Sequence, residues 1–328
     1  MDWLAQLDSQ TDAPLQVAYR IDGDTDLSEH ERHDLAGYRN SVPVRFGNHA
    51  AVQRQLDALG YLADCAHIYL KQGGTWKPRY WDLMRSLADY TLAHWRKPDS
   101  GIWELAPEQH YVSSKVMSWV VLDRAVRIAR HLGHEEEIDH WRAVMAEIQS
   151  DVLEHGWSPS RNAFRQRYEA DALDASVLLM PVMGFLPADH PQVVATVEQI
   201  ETALMRDGLV YRFEPEGLEP AADLAPGSFE GAFLPCTFWL AATYAMLGQS
   251  EKAEAILVQV EAIAGSLGLM AEEADGHRHI LLGNTPLLFA QVEYIRAIME
   301  LAKARPTDMA RMMVGQVQQR IGRFFDSN

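Results

Sequence analysis

Apolar residues recur every three or four positions along most of this chain, which is the period of one face of an α-helix. The clearest case is the stretch 250–267, whose apolar residues share one side: Ala253, Ile256, Leu257, Val260, Ile263, Ala264 and Leu267. The same period predicts helices over 49–72, 78–95, 113–132, 135–154, 191–206, 230–247, 250–267, 285–303 and 306–325. We therefore expect an all-α protein.

Signals for β-strands are few, and only residues 208–213 favour an extended segment. Long polar loops connect the helices over 22–48, 96–112, 156–170, 207–229 and 268–284. Paired helices with long loops at one end favour an α/α toroid, in which inner helices surround a cavity and loops form its mouth. No strict sequence repeat is visible, which disfavours consensus solenoids, and an ordinary helical array remains the alternative.

The end of the chain has an apolar stripe of its own. We expect residues 1–303 to form one domain and residues 304–328 to form a C-terminal amphipathic helix. Its stripe consists of Met309, Met312, Met313, Val317, Ile321 and Phe324. Such a stripe packs on the body of the chain or faces a partner, and the pattern leaves both open.

Composition excludes several classes of function. The 328 residues have a formal net charge of -17, which is unfavourable for binding nucleic acid or an anionic membrane. Cys65 and Cys236 lie far apart and outside any C-x-x-C pair, so we expect two buried thiols and no structural zinc. The first residues have no signal-peptide pattern, and the most apolar stretch, 175–186, is interrupted by Pro181 and Gly184. These features predict a cytoplasmic protein.

The loop at 96–112 contains the first candidate for chemistry. Pro98 ends a helix, and the following Asp-Ser-Gly forms a turn that leads to Trp103 and Glu104. A sugar ring stacks on an indole face. A glutamate beside an indole is partly desolvated, which raises its pKa toward the value that a general acid needs. The alternative is a loop tryptophan with a solvated glutamate.

The loop at 268–284 contains the second candidate. Glu272, Glu273 and Asp275 lie close together after Gly268, and one of them is suited to act as a general base on water. Two carboxylates on opposite sides of a cavity form a glycosidase pair, about 6.5–9.5 Å apart in inverting enzymes. A solvated acidic loop is the alternative.

Other polar residues have two interpretations each. Asp57 and Asp174 lie in or beside apolar helical stretches, where they orient a loop or a substrate hydroxyl. Arg45 binds sugar hydroxyls or anchors its own loop. His277 and His279 have a spacing that suits a metal, but an exposed loop is favoured, and we expect no metal site. Motifs for nucleotide binding and for serine hydrolases are not found.

These loops resemble the bacterial glucoamylase/trehalase-like family, glycoside hydrolase family fifteen. The best matches are GYRNSVPVRFGN at 37–48, GIWE at 101–104, EGAFLPCTFW at 230–239, AEE at 271–273 and LLGN at 281–284. Further matches follow the family's order at 55–57, 114–119, 122–125, 173–176 and 184–187. Together they extend over about residues 1–303.

The resemblance implies an (α/α)₆ toroid and an inverting, exo-acting hydrolase that releases glucose from α-glucans or trehalose without an organic cofactor. Glu104 matches the family's general acid. Glu272 matches the general base, although the adjacent Glu273 is not excluded. On or near the segments that line the family's sugar pocket are Trp103, His110, Lys115, Arg124 and Glu230.

The chain also departs from the family pattern. The family's N-terminal β-sandwich and its Trp-Pro-Arg-Asp segment are not matched, so we expect the chain to begin near the end of the fourth barrel helix. An opened barrel exposes apolar helix faces, which predicts a partner chain or self-association that covers them. Ala274 and Leu288 differ from the usual residues near the general base. The alternative function is a non-catalytic carbohydrate-binding or interaction protein derived from that family.

Overall fold

The computed structural model describes residues 1–7, 11–215 and 230–305. The helix predicted over 306–325, and with it nearly all of the predicted segment 304–328, lies outside these residues. The chain divides into two compact units, Met1–Trp157 with Gln166–Ala170, and Ser158–Arg165 with the chain from Asp171 onward. Each unit is described by itself.

Four long helices form the first unit, and the apolar pattern predicted each of them to within three residues, apart from the beginning of the first. They are α1 (Leu56–Lys71), α2 (Pro78–His94), α3 (Val112–Leu132) and α4 (Ile138–His155). The predicted start at residue 49 corresponds to a short 3-10 helix, His49–Val52, that precedes α1. Helix α3 is the centre of this unit, because it is buried along most of its length and packs against α1, α2 and α4.

The ends of these helices follow from local chemistry. Pro78 begins α2. Proline has no backbone N–H group, and this is tolerated in the first turn of a helix because N–H groups there have no hydrogen-bond partner within the helix. Gly133 ends α3 in the left-handed conformation, with a φ of 78° that suits a residue without a Cβ atom. These two residues therefore fix where α2 begins and where α3 ends.

The described residues of the second unit form one short and four longer helices. They are α5 (Leu179–Val182), α6 (Pro191–Ala203), α7 (Leu234–Met246), α8 (Ser250–Ala264) and α9 (Leu288–Ala304). Helix α7 is buried on all sides from Leu234 to Ala245 and packs against α8 and α9. None of the helices in the described part of the chain is long and apolar enough to cross a membrane.

The strands are two or three residues long. They are β1 (His30–Arg32), β2 (Val44–Phe46), β3 (Trp157–Ser158), β4 (Ala163–Phe164), β5 (Met205–Arg206), β6 (Leu209–Val210), β7 (Ala232–Phe233), β8 (Glu273–Asp275) and β9 (Ile280–Leu282). The extended segment predicted at 208–213 contains β6, which pairs with β5. The pattern did not predict β1–β2 or the sheet β7–β8–β9, because such short strands show no alternation.

The expectation of two buried thiols is correct for Cys236 and wrong for Cys65. Cys236 is fully buried in α7, and burial raises the pKa of its thiol well above the usual value. Cys65 is exposed, since it shares the outer face of α1 with Ile68, three residues later.

Candidate active site

Glu104 ends a tight turn in the loop between α2 and α3. Its backbone N–H donates to the carbonyl of Gly101 (3.1 Å), and its own carbonyl accepts from Nε2 of Gln53 (3.4 Å). Glu104 has a φ of 59°, in the left-handed region that non-glycine residues avoid. A Cβ atom on Gly101 would lie 2.7 Å from the ring of Tyr111, so the turn needs a glycine at that position. Strain of this kind, of order 1–3 kcal/mol, is concentrated at functional turns.

The turn places the tryptophan and the glutamate in different environments. Trp103 is only 7% exposed, whereas Glu104 is exposed. We expected the indole to shield the Glu104 carboxyl from water, and that expectation is wrong because the turn directs Trp103 into the core and Glu104 outward.

Two buried carboxyls lie close to this turn. Asp99 is fully buried, and its Oδ2 accepts from the N–H of Leu56 (2.9 Å) and from Oγ of Ser114 (2.8 Å). Burial raises the pKa of Asp99 to about 6, against these two donors. Asp57 is 3% exposed, and burial, followed by the charges of Asp99 and Glu104, raises its pKa to about 8.

Lys115 and His110 line a pocket of about 240 Å³ in the same unit. The other residues around it are Trp95, Arg96, Asp151, His155 and Tyr168. Nζ of Lys115 donates to the carbonyls of Trp95 (2.6 Å) and Lys97 (2.7 Å) at the end of α2, and burial lowers its pKa to about 8. The ring of His110 stacks on Tyr168, and burial lowers its pKa as well.

Arg124 lies farther along α3, nine residues after Lys115 and so about 13 Å along the helix axis. Its Nε donates to Asp64 of α1 (2.7 Å) and its Nη1 to Asp123 (2.5 Å), and all three side chains are about nine-tenths buried. These contacts are those of an ion pair that ties α3 to α1.

Glu272 lies directly before β8 in the second unit. Its backbone N–H donates to the carbonyl of Asn284 (2.9 Å), and its carbonyl accepts from the N–H of Leu234 (3.0 Å). The backbone N–H and the Nδ2 of Asn284 both lie 3.3 Å from Oε2 of the half-buried Glu272. No described residue hydrogen-bonds to Oε1. One oxygen is thus held, and the other is left for water or substrate.

Glu273, in β8, is held more closely than Glu272. Its Oε2 accepts from the N–H of Gly231 (3.0 Å). Burial raises the pKa of Glu273, with the charges of Glu230 and Glu272 acting in the same direction and Arg212 opposing them. Glu230 is a buried carboxylate whose Oε2 accepts from Nε (2.9 Å) and from Nη2 of Arg212.

The structure gives the other polar residues local roles. Asp174 caps a 3-10 helix by accepting from the N–H of Ser176 (2.7 Å). Arg45 pairs with Glu29 and Glu31 in the β1–β2 hairpin, so it anchors its own loop. His277 and His279 are exposed, and no group of three or more metal-binding side chains occurs in the described ranges.

The predicted site residues are distributed over both units. Trp103, Glu104, His110, Lys115 and Arg124 lie in the first, and Glu230 and Glu272 lie in the second. The sequence interpretation did not identify Asp99, Asp151, Tyr168, Arg212 or Asn284. Asp99 lies in the Asp-Ser-Gly turn and Asn284 in the LLGN motif. Turns of the chain bring their contact partners close to them, and the spacing of residues along the sequence does not show these turns.

The chain is similar in sequence to curated trehalases. The trehalase of Mycolicibacterium smegmatis is 39% identical over 292 residues, which are 89% of this chain and 43% of that protein. The chain spans less than half the length of the curated relatives that it matches.

Solved structures show the fold. A wild-type glycosidase has a TM-score of 0.65 at 23% identity and covers 80% of this chain and 72% of its own. A bacterial glucoamylase complexed with acarbose has a TM-score of 0.62 at 15% identity, over 80% of this chain and 43% of its own. The predicted fold class, an all-α chain of the (α/α)₆ type, is confirmed. A model of Glycosyl hydrolases family 15 matches residues 1–299, and the chain belongs to this family.

Proposed function

We propose that this chain provides the general acid and the general base of an inverting, exo-acting glucoside hydrolase. The observation that carries the proposal is the arrangement at Glu272, where Asn284 holds one carboxylate oxygen and leaves the other without a described partner. A general base needs this arrangement, because one oxygen must be fixed while the other accepts a proton from water. The exposed Glu104, on its strained turn, supplies the acid.

The two carboxyls have complementary tasks in the reaction. Glu104 donates its proton to the glycosidic oxygen as the bond from that oxygen to the anomeric carbon breaks. Glu272 takes a proton from the water that attacks the opposite face of the sugar, so the configuration at the anomeric carbon inverts. Both residues must act in one catalytic domain, which we propose to be residues 1–303.

Glu272 is a better candidate for the base than Glu273. The carboxylate of Glu273 accepts from Gly231 within the sheet, and burial makes its charged form less favourable. Glu272 is half-buried and outside the strand. A base needs an oxygen that water can reach, and Glu272 has one that no described residue occupies.

Trehalose is the substrate that we propose first, because curated relatives that are 39% identical to this chain are trehalases. α-Glucans are the second choice, since glucoamylases share the fold. The five sugar-pocket residues remain predictions. His110 and Lys115 line a pocket, whereas Trp103, Arg124 and Glu230 are engaged within the protein and would shape the site rather than contact the sugar.

The proposal is tested by glucose release from trehalose, maltose, isomaltose and soluble starch with the full chain between pH 4 and 8. We expect release that E104Q lowers by about 10²–10⁴-fold. E108Q is the matched control, because Glu108 is an exposed carboxylate of the same loop, and its one ion pair among the described residues is with Arg54 (3.4 Å). Equal activity of E104Q and the wild type would refute the assignment of the acid.

A partner chain or self-association is a further proposal. Leu288, Val292, Ile295 and Met299 form an exposed stripe along α9, with 44–76% of each residue accessible. Their spacing of four, three and four residues is that of a helix-binding face. We expect the wild type to associate in light-scattering measurements and V292E/I295E to be monomeric. A monomeric, inactive wild type would instead favour the non-catalytic, carbohydrate-binding alternative.

A cytoplasmic location also remains a prediction.

A further inference from the structure

The turn that carries Glu104 is closed by its own backbone, and we call residues 100–105 the acid turn. The N–H of Leu105 donates to the carbonyl of Ser100 (2.9 Å), and the N–H of Glu104 donates to the carbonyl of Gly101 (3.1 Å). These bonds fix the shape of the acid turn but not its orientation. The direction of the Glu104 carboxyl therefore depends on what holds the acid turn to the rest of the chain.

Asp99, directly before the acid turn, binds two helices with one carboxyl oxygen. Its side chain is fully buried, and Oδ2 accepts from the N–H of Leu56 (2.9 Å) and from Oγ of Ser114 (2.8 Å). Leu56 is the first residue of α1, where an N–H group has no partner within the helix, and the preceding Gln55 makes no side-chain cap. The carboxyl of Asp99 therefore caps α1 and also reaches the first turn of α3.

The main chain around Asp99 is held as well. The N–H of Asp99 donates to the carbonyl of Gln109 (3.0 Å), and its carbonyl accepts from the N–H of Gln109 (2.8 Å). These two bonds join the chain that enters the acid turn to the chain that returns from it. The next residue, Ser100, donates its N–H to the carbonyl of Arg54 (2.9 Å), just before α1. All of these residues lie in the first unit.

Helix α3 also holds the chain just before Asp99. Lys115 of α3 is buried, and its Nζ donates to the carbonyls of Trp95 (2.6 Å) and Lys97 (2.7 Å). On the other side of Asp99, Glu104 has a φ of 59°, and such a backbone persists only where its surroundings hold it. A shift of about 1 Å in a reacting group costs about 10²-fold in rate, so the anchor beside the acid turn matters for catalysis.

We propose that Asp99 is a positioning residue for Glu104, because its carboxyl ties the start of the acid turn to the first turns of α1 and α3 and thereby sets where the Glu104 carboxyl lies. The proposal deepens the assignment of Glu104 as the general acid and rests on it. Asp99 is fully buried and does not touch the sugar. It acts on the reaction through the acid turn alone, and so on proton donation to the leaving group.

The experiment compares D99N, D99A and E104Q with the full wild-type chain on two substrates, trehalose and α-glucosyl fluoride. An asparagine keeps an oxygen that can accept both hydrogen bonds, whereas an alanine has none. On trehalose, we expect D99A to lower kcat by about 10²-fold and D99N by less than about 5-fold, with a smaller change in KM. Fluoride leaves without a proton, so D99A and E104Q should each lose less than about 5-fold on α-glucosyl fluoride.

T91V is the control for the loss of a buried hydrogen bond. Thr91 is also buried, and its hydroxyl donates within α2 to the carbonyl of Leu87 (2.8 Å). T91V should match the wild type on both substrates. An equal loss of D99A on trehalose and on α-glucosyl fluoride would overturn the proposal, because a misplaced acid affects only the substrate that needs a proton. So would a folded D99N that is as inactive as D99A.

Hydrogen exchange provides a second readout that needs no turnover. D99A, or S114A if D99A does not fold, should speed the exchange of the amides of Glu104 and Leu105 by at least about 10-fold and leave α4 unchanged. Equal exchange in the variant and the wild type would overturn the proposal. A wild type that releases glucose from neither substrate would refute the proposed function, while the exchange rates would still decide whether Asp99 fixes the acid turn.

Discussion

The loop around Glu104 and the sheet around Glu272 surround their glutamates differently. The first has two buried carboxyls, Asp57 and Asp99, and burial raises their pKa values to about 8 and about 6. In the second, each carboxylate has a donor: Arg212 for Glu230, the N–H of Gly231 for Glu273 and Asn284 for Glu272. The candidate acid is thus an exposed carboxyl in a loop with two buried ones, whereas the candidate base is held through one oxygen. A base held in this way presents its other oxygen to water.

The largest expected effect separates the two candidates for the base. E272Q should lower kcat by about 10²–10⁴-fold, because an amide cannot accept the proton of the attacking water. E273Q should lower it far less, since Glu273 is engaged with Gly231 in the sheet. Steady-state rates on trehalose measure both. The reverse order would move the base to Glu273.

The Arg212–Glu230 ion pair is expected to stabilise the region around the sheet next to Glu272. R212M leaves the buried Glu230 carboxylate without its donor and should lower the free energy of unfolding by about 2–4 kcal/mol in urea titrations. R278M is the control, since Arg278 is 72% exposed and pairs loosely with Asp275 (3.6 Å). Equal stability of both variants would show that the sheet does not depend on this cation.

Ser114 provides a test of the buried carboxyls close to the turn that carries Glu104. Its hydroxyl donates to Asp99, and this bond favours the charged form of Asp99, whose pKa is about 6. S114A should therefore lower the free energy of unfolding by about 1.5 kcal/mol at pH 7.5 and by less at pH 5, where Asp99 is protonated. S118A removes a hydroxyl that donates to a backbone carbonyl, so its effect should not change with pH. A loss that is equal at both pH values in S114A would contradict the account.

Asn284 is expected to have the smallest effect. N284A removes one of two donors to Oε2 of Glu272 and should lower kcat about 3- to 10-fold. KM should change less than kcat, because Asn284 orients the base and not the sugar. T285A, at the next exposed position, should leave kcat unchanged. A kcat of N284A equal to that of the wild type would mean that Asn284 does not act on the base.

Sequence periodicity predicted the helices because each buries a stripe that repeats with the helical turn. The pattern over 250–267 became α8, Ser250–Ala264. The two-residue and three-residue strands were too short for alternation to appear, so β8 and β9 were read as loop. Their pairing is what brings Asn284 back to Glu272.

The chemical environment of individual side chains was harder to predict from the sequence than the positions of the helices. The order Trp103-Glu104 suggested a shielded carboxyl, but the positive φ of Glu104 turns it outward, and spacing does not reveal that. The sequence left two roles open for Asp57, orienting a loop or a substrate hydroxyl, because a helical pattern shows only that a position is apolar on average. It does not show that two other carboxyls from a distant loop lie beside it.

The central claim is that Glu104 and Glu272 act on opposite faces of one sugar. Proton NMR of trehalose hydrolysis by the full chain tests it most directly, before the anomers of glucose equilibrate. Inversion at one anomeric carbon predicts equal amounts of α- and β-glucose in the first minutes, because the leaving glucose keeps its α configuration. Two molecules of α-glucose for each trehalose, or hydrolysis that E104Q performs equally well, would contradict the account.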